Sequence, residues 1–199
     1  FEHNLLADYA FIKRAVQTGV GQVQVTGTCF EYGLQSGSLS EDLECRPANA
    51  YGLAKHSLHL FLQSLRQQVP FDLQWARLFY LHGVGQNPNS LLAALDRAID
   101  GGLERFDMSG GEQLRDFLPI QVAAEHLAAL LHRRDFSGVV NVCSGQPVSV
   151  RRLVEDHCAA RDSRIRLNLG HYPYPLHEPM AFWGDAQRLR SLSGAEHEA

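Results

Sequence analysis

The sequence predicts a layered α/β fold built on a parallel sheet. Three observations point there. Segments of helical period alternate with short β-rich segments through the first 80 residues. The run Gly138-Val-Val-Asn-Val-Cys143 is apolar enough for a strand covered on both faces. The stretch from Val25 to Lys55 reads as a strand that ends on a hydroxyl, a polar loop, and a helix.

The elements follow in order. Leu5, Leu6, Tyr9, Ile12 and Val16 recur at helical spacing and predict a helix over 4–18, with Asn4 as its N-cap and Gly19 and Gly21 as its stop. Gln22 to Thr26 alternates polar and apolar, as a strand does. Residues 28–47 read as loop. A long helix is expected over 50–68, with Leu53, Leu58, Phe61 and Leu65 inward and Pro70 ending it. Further strands are expected at 71–79, 103–107, 115–119, 138–143 and 165–169. Further helices are expected at 90–99 (capped by Ser90 or Asn89), 122–132, within 147–161, and at 185–192. The predicted division is 1–83, to which strand 138–143 returns, and 84–199, mainly a smaller α/β lobe.

Composition narrows the function. The 199 residues are 45% hydrophobic and 20% charged, enough for a real core. A net charge of −4 gives no electrostatic case for nucleic acid or an anionic membrane. No apolar run approaches the roughly 20 residues of a membrane span. Cys29, Cys45, Cys143 and Cys158 are scattered, which suggests buried thiols in a reducing, cytoplasmic setting and no metal site. Sixteen of the eighteen basic residues are Arg; Lys13 and Lys55 are the two Lys.

A nucleotide-binding parallel sheet ordinarily opens with a strand, a Gly-rich turn and a helix N-terminus. Gly19-Val-Gly21 follows a helix and leads into a strand, the reverse of that context. Gly83-Val-Gly85 lacks a third Gly. The pyrophosphate turn is therefore not in these residues, and the chain is expected to lack the amino-terminal part of such a domain.

The chemistry sits at 25–55. Gly27-Thr-Cys-Phe-Glu-Tyr-Gly33 precedes Asn49-Ala-Tyr-Gly-Leu-Ala-Lys55. A Tyr has a pKa of roughly 10, too high for a base at neutral pH, and an ammonium one turn away favours the phenolate. Tyr9-Ala-Phe-Ile-Lys13 has the same spacing but no hydroxyl-ended strand before it, and reads as a structural pair. Glu31 reads as solvated.

These residues resemble the extended short-chain dehydrogenase/reductases of the NAD-dependent epimerase/dehydratase type, which act on nucleotide sugars. Arg77-Leu-Phe-Tyr-Leu-His-Gly-Val-Gly-Gln86, Arg115-Asp-Phe-Leu-Pro-Ile, Asn141-Val-Cys-Ser-Gly145 and Gly184-Asp-Ala-Gln-Arg-Leu-Arg190 extend the likeness in the family's order. The resemblance implies the latter half of a Rossmann-like sheet, with a substrate lobe. It implies Thr28, Tyr51 and Lys55 as catalytic residues. Tyr51, Lys55 and Thr26 would border an NAD or NADP cofactor. Arg115 would grip a substrate diphosphate, Tyr80 would stand at a substrate-contacting position, and Asn87 and Ser90 are placed near the nucleotide on position alone. It implies a homodimer through helices 4–18 and 50–68.

The sequence also departs from the family. Cys29 and Phe30 stand where sugar-nucleotide dehydratases place Asp-Glu, which demotes dehydration in favour of epimerisation or reduction through a keto intermediate. Tyr80 stands where many epimerases carry Asn. His177 is a weak stand-in for an expected Arg among 173–178. Two other readings stay open: a non-catalytic dinucleotide-binding or assembly subunit, and a chain inactive because the Gly-rich cofactor turn is absent.

Overall fold

The computed structural model describes residues 2–174 and 178–193, the first three of these by backbone only. Its centre is a three-stranded parallel sheet of β1 (Gln22–Thr28), β3 (Asp72–Leu78) and β7 (Gly138–Val142), in the order β1-β3-β7. Register matters most here. Thr28 lies opposite Leu78, and Leu78 opposite Val142. All three strands therefore finish on one row. Ligands of parallel α/β sheets bind beyond that carboxyl edge.

One face of the sheet is covered by α1 (Asp8–Gln17) and α2 (Ala50–Arg66). Ile12, Val16, Leu58, Leu62 and Leu65 pack there on Leu73 and Trp75. The other face carries α4 (Ile120–His132) and α6 (Gln187–Ser193), whose Ala123, Leu130 and Leu189 meet Ala76, Val140 and Val142. Gln74, wholly buried, ties α4 to the sheet: its Nε2 donates to the carbonyls of Leu130 and Arg133 at 2.8 and 2.9 Å.

The remaining elements gather beyond the carboxyl edge. β2 (Gly37–Leu39) pairs with β10 (Phe182–Gly184), and β4 (Tyr80–His82) pairs with β6 (Leu114–Pro119), which also carries β8 (Pro147–Ser149) antiparallel. β5 (Arg105–Asp107) pairs with β9 (Arg166–Asn168) beside α3 (Leu91–Asp100) and α5 (Val150–Ala160), around Leu95, Met108 and Val154.

Two buried side chains join these parts. Asp116 accepts from Ser144 N and Ser144 Oγ at 2.7 Å, Gly145 N at 2.9 Å and Gly184 N at 3.3 Å, so one carboxylate fastens β6 to the turn after β7 and to β10. Asn141 accepts from Tyr32 Oη at 2.7 Å and donates to Leu39 O at 2.8 Å.

Several expectations change. Asn4 lies inside a π-helical segment, Glu2–Ala7, that runs into α1, so it does not start the helix. Leu53 and Phe61 are exposed; the inward stripe of α2 runs instead through Ala54, Lys55, Leu58, His59, Leu62 and Leu65. The loop after Thr28 holds a 3₁₀ turn, Cys29–Tyr32, and β2. β4 and β10 are likewise three-residue strands, too short for a periodicity to register. His177 lies outside the described residues.

Asp116→Ala strips four donors of their acceptor at once. We expect a loss of about 3–5 kcal/mol in unfolding free energy, by the cost of orphaning buried donors and breaking a buried charge network. Denaturant unfolding measures it, and a loss within experimental error would show that the carboxylate is not a fastener.

Candidate active site

Thr28 ends β1 and caps the 3₁₀ turn that follows. Its Oγ1 accepts from Phe30 N at 3.3 Å, while the Glu31 carboxylate reaches back to accept from Thr28 N at 2.8 Å. This reciprocal pairing fixes the direction in which the chain leaves the sheet.

Glu31 is fully buried, contrary to the solvated reading. Its Oε1 also accepts from Trp75 Nε1 at 3.0 Å, and its Oε2 from Arg77 Nε at 3.1 Å. Trp75 and Arg77 alternate on β3, and Arg77 is the register partner of Gly27, so their side chains face this carboxylate together. A Cβ on Gly27 would lie 2.4 Å from both Glu31 Oε1 and Trp75 Nε1, so only glycine lets the network close.

The helix with the phenol is held against this turn. Asn49 caps α2 through a 2.7 Å bond from Gly52 N. A Cβ on Gly52 would meet Phe30 O at 2.5 Å, so glycine permits the close approach. Tyr51, 45% exposed, sets its ring edge-on to Phe30, centroids 6.4 Å apart. Its hydroxyl makes no hydrogen bond among the described residues. Beside it lies a cleft of about 300 Å³ lined by Cys29, Phe30, Asn49, Tyr80, Glu178 and Phe182. Phe30, whose N–H is capped by Thr28 and whose ring meets Tyr51, forms part of the wall of this cleft.

Lys55 has a partner that its spacing to Tyr51 does not reveal. Buried at 8% exposure, its ammonium faces Asp8 of α1 at 3.7 Å. Burial, then the fields of Glu31 and Cys29, raise the Tyr51 pKa above the ordinary phenol value, so the isolated chain holds a protonated phenol. Burial pushes the Cys29 thiol up to about 12, which leaves it neutral in the cleft wall. Thr26 is exposed on β1, on the same strand face as Thr28. Lys13 stands 6.0 Å over the Tyr9 ring, in keeping with a structural pair.

Tyr80, Ser90 and Arg115 line a second cleft of about 320 Å³, and Tyr80 and Glu178 border both clefts. Asn87 lines a third instead. Arg115 is 3% exposed. It donates to Glu178 Oε2 at 3.2 Å and to Leu114 O at 2.9 Å, and stacks 4.5 Å over Phe182. An anion at Arg115 must share it with Glu178. Burial raises Tyr80 to about 12. Gln113 and Glu178 went unnoticed in the sequence. Gln113 lies two residues before Arg115 on the same edge, while Glu178 arrives from 63 residues away with no local signal.

Glu31, His56 and His59 form a three-ligand grouping within 4.8 Å. The carboxylate is already saturated by N–H donors, and the Arg77 guanidinium would repel a cation there. No helix among the described residues is long and apolar enough to cross a membrane. The four cysteines are free; three are buried and Cys45 is half-buried.

Known proteins share this arrangement of elements. Residues 1–143 match the NAD dependent epimerase/dehydratase family. The chain is 30% identical over 183 residues to dTDP-6-deoxy-L-talose 4-dehydrogenase (NAD(+)) of Aggregatibacter actinomycetemcomitans, covering 92% of this chain and 67% of that protein. It is 32% identical over 171 residues to GDP-6-deoxy-D-mannose reductase of Pseudomonas aeruginosa, covering 80% and 54%. The solved structure of MoeE5 in complex with UDP-glucuronic acid and NAD superposes with a TM-score of 0.85 at 27% identity, covering 98% of this chain and 66% of that one. The chain spans about two thirds of the length of several such relatives. By family match and by fold, the chain belongs to the NAD dependent epimerase/dehydratase family.

Proposed function

We propose that the protein is an NAD-dependent oxidoreductase or epimerase of a nucleotide-linked sugar, acting at a carbinol through a keto intermediate. The observation that carries this reading is the Tyr51 hydroxyl, without a hydrogen-bond partner among the described residues, set against Phe30 in the wall of a cleft two residues on from Thr28. The relatives named for nucleotide-sugar dehydrogenation and reduction support the substrate class. On this reading residues 1–83 with 138–143 carry the cofactor side, and 84–199 mainly the substrate side.

The donor set suits a dinucleotide. Among the described residues the Tyr51 hydroxyl has no hydrogen-bond partner and the Lys55 ammonium has one loose ionic partner at 3.7 Å, so both can serve ribose hydroxyls, with Thr26 on the adjacent strand. When bound, the nicotinamide supplies hydride exchange at the sugar carbon. Thr28 Oγ1 orients the reacting hydroxyl, and Tyr51 Oη gives or takes its proton. The raised pKa keeps Tyr51 protonated at neutral pH, so the phenol holds the proton that ketone reduction consumes. Arg115, prised from Glu178, grips the diphosphate with its planar fork. Tyr80, Ser90 and Asn87 border the nucleotide.

Reduction or epimerisation is favoured over dehydration by what stands after Thr28. Cys29 is a neutral thiol and Phe30 is apolar, so neither can exchange the second proton that elimination of water requires. Glu178, the carboxylate lining the cleft, is bound to Arg115.

The exposed apolar residues support a homodimer. Leu6 and Phe11 are 61% and 75% exposed; Leu53, Leu60 and Phe61 on α2 are 44–52% exposed along one stripe. Two copies pairing helices 4–18 and 50–68 would cover them.

Tyr51→Phe should lower hydride transfer to a nucleotide-linked ketohexose by about 10²–10⁴-fold. NADH absorbance follows it in the complete protein, and undiminished turnover would remove the acid–base role. In the oxidation direction the phenolate is the active form, so kcat/KM should climb with pH. Glu31→Gln removes a charge that raises the Tyr51 pKa, so the climb should begin at lower pH; a shift to higher pH would contradict the assignment. Light scattering at micromolar concentration should give twice the 22.2 kDa chain mass, and Phe11→Glu with Leu60→Glu should halve it. A wild-type protein at the chain mass would rule the interface out.

A further inference from the structure

We infer that Asp8 is a positioning residue for Lys55, holding its ammonium on the α1 side of the site and so setting how strongly that charge acts on the Tyr51 phenol; the inference rests on the acid–base reading above. Asp8 Oδ2 lies 3.7 Å from Lys55 Nζ, and it is the one ionic partner of Lys55 among the described residues. The two groups come from different helices, so their meeting is a property of the fold and not of either segment.

The seam between α1 and α2 is otherwise apolar. Leu5, Ile12 and Val16 form one cluster there with Ala54, Leu58 and Leu62, and Tyr9 meets Phe61 with ring centroids 5.5 Å apart. Asp8 stands one turn before Ile12, and Lys55 one turn before Leu58 and His59, so both share the faces that the helices press together. Asp8 is half-buried and Lys55 buried. A charge in such a seam costs stability unless it is paired. Apolar side chains of similar volume would serve stability as well or better. The pair is therefore poorly explained as a fastener. It stands one turn from Tyr51, where a cation has chemical consequences.

The geometry leaves Lys55 able to work. A separation of 3.7 Å exceeds the reach of an N–H···O hydrogen bond, so the contact is ionic. The three N–H donors remain for other acceptors, ribose hydroxyls among them. Other titratable groups face the same place. Glu31 and Cys29 approach from the turn after β1, and Arg77 pairs with Glu31 from β3. His56 and His59 follow Lys55 on α2, within reach of Glu31. Lys13 of α1 lies over the Tyr9 ring. Burial first, then Glu31 and Cys29, raise the Tyr51 pKa. Asp8 works on the phenol through the cation it contacts.

The pH profile of NAD reduction by the complete protein tests the inference, on the wild type and on Asp8→Asn, Asp8→Leu, Asp8→Glu and Tyr51→Phe. The substrate is whichever of the UDP-, dTDP- and GDP-linked hexoses and 6-deoxyhexoses the wild type oxidises fastest. Without the carboxylate, the Lys55 charge acts on the phenol undivided. The rise of kcat/KM in Asp8→Asn and Asp8→Leu should therefore begin about 0.5–1 pH unit lower, the effect of one partly screened charge. Asp8→Glu, which keeps the charge, should keep the wild-type profile. A profile unmoved in both Asp8→Asn and Asp8→Leu, or moved to higher pH, would overturn the inference. So would a lower rate that follows a lower melting temperature at unchanged pH dependence, the mark of a structural role. The catalytic reading fails separately. Full turnover by Tyr51→Phe, or oxidation of none of these sugars by the wild type, removes that reading and this inference with it. An inactive Tyr51→Phe beside an unmoved Asp8→Asn profile removes this inference alone.

Discussion

The buried carboxylate of Glu31 is the constraint on which the rest of the site depends. It accepts from the Thr28 backbone, the Trp75 indole and the Arg77 guanidinium, with no solvent exposure. A buried carboxylate persists when it is paired and its lone pairs are filled. Trp75 and Arg77 come from β3, so the turn after β1 is locked to the neighbouring strand. The direction of Thr28 follows, and so does the position of Phe30, against which Gly52 lets α2 settle. The same carboxylate helps raise the Tyr51 pKa. One group thus sets both the geometry and part of the electrostatics of the proposed acid–base residue.

The second structural theme is the common row at which β1, β3 and β7 end. Asp116 and Asn141 fasten the later segments to that row, which delivers Tyr80, Arg115 and Glu178 to the clefts. Phe182 under the Arg115 guanidinium and the Leu114 carbonyl hold it in place, while Glu178 occupies part of its fork.

Much of this was legible in the residues. Helical periods found α1, α2, α3 and α4 to within a few positions, and the apolar run at 138–142 announced β7. Thr28 before Gly33, followed by Tyr51 and Lys55, pointed to the site edge. Three-residue strands such as β4 and β10 carry no period, so pairing partners alone define them. The burial of Glu31 follows from the β1–β3 register, which no local window contains. The partner of Lys55 was missed for a related reason: Asp8 comes from another helix, and its pull on the ammonium competes with the intrahelical proximity that spacing suggests. Leu53 and Phe61 kept a helical rhythm yet face outward, because an exposed apolar stripe has the same period as one that meets the core.

The central claim is that Thr28 and Tyr51 address a single hydroxyl of the sugar. A crystal structure of the complete protein with NAD and a nucleotide sugar tests it most directly. The account predicts Thr28 Oγ1 and Tyr51 Oη both within about 3.2 Å of the same sugar oxygen. A sugar bound with that oxygen out of reach of either group would contradict it.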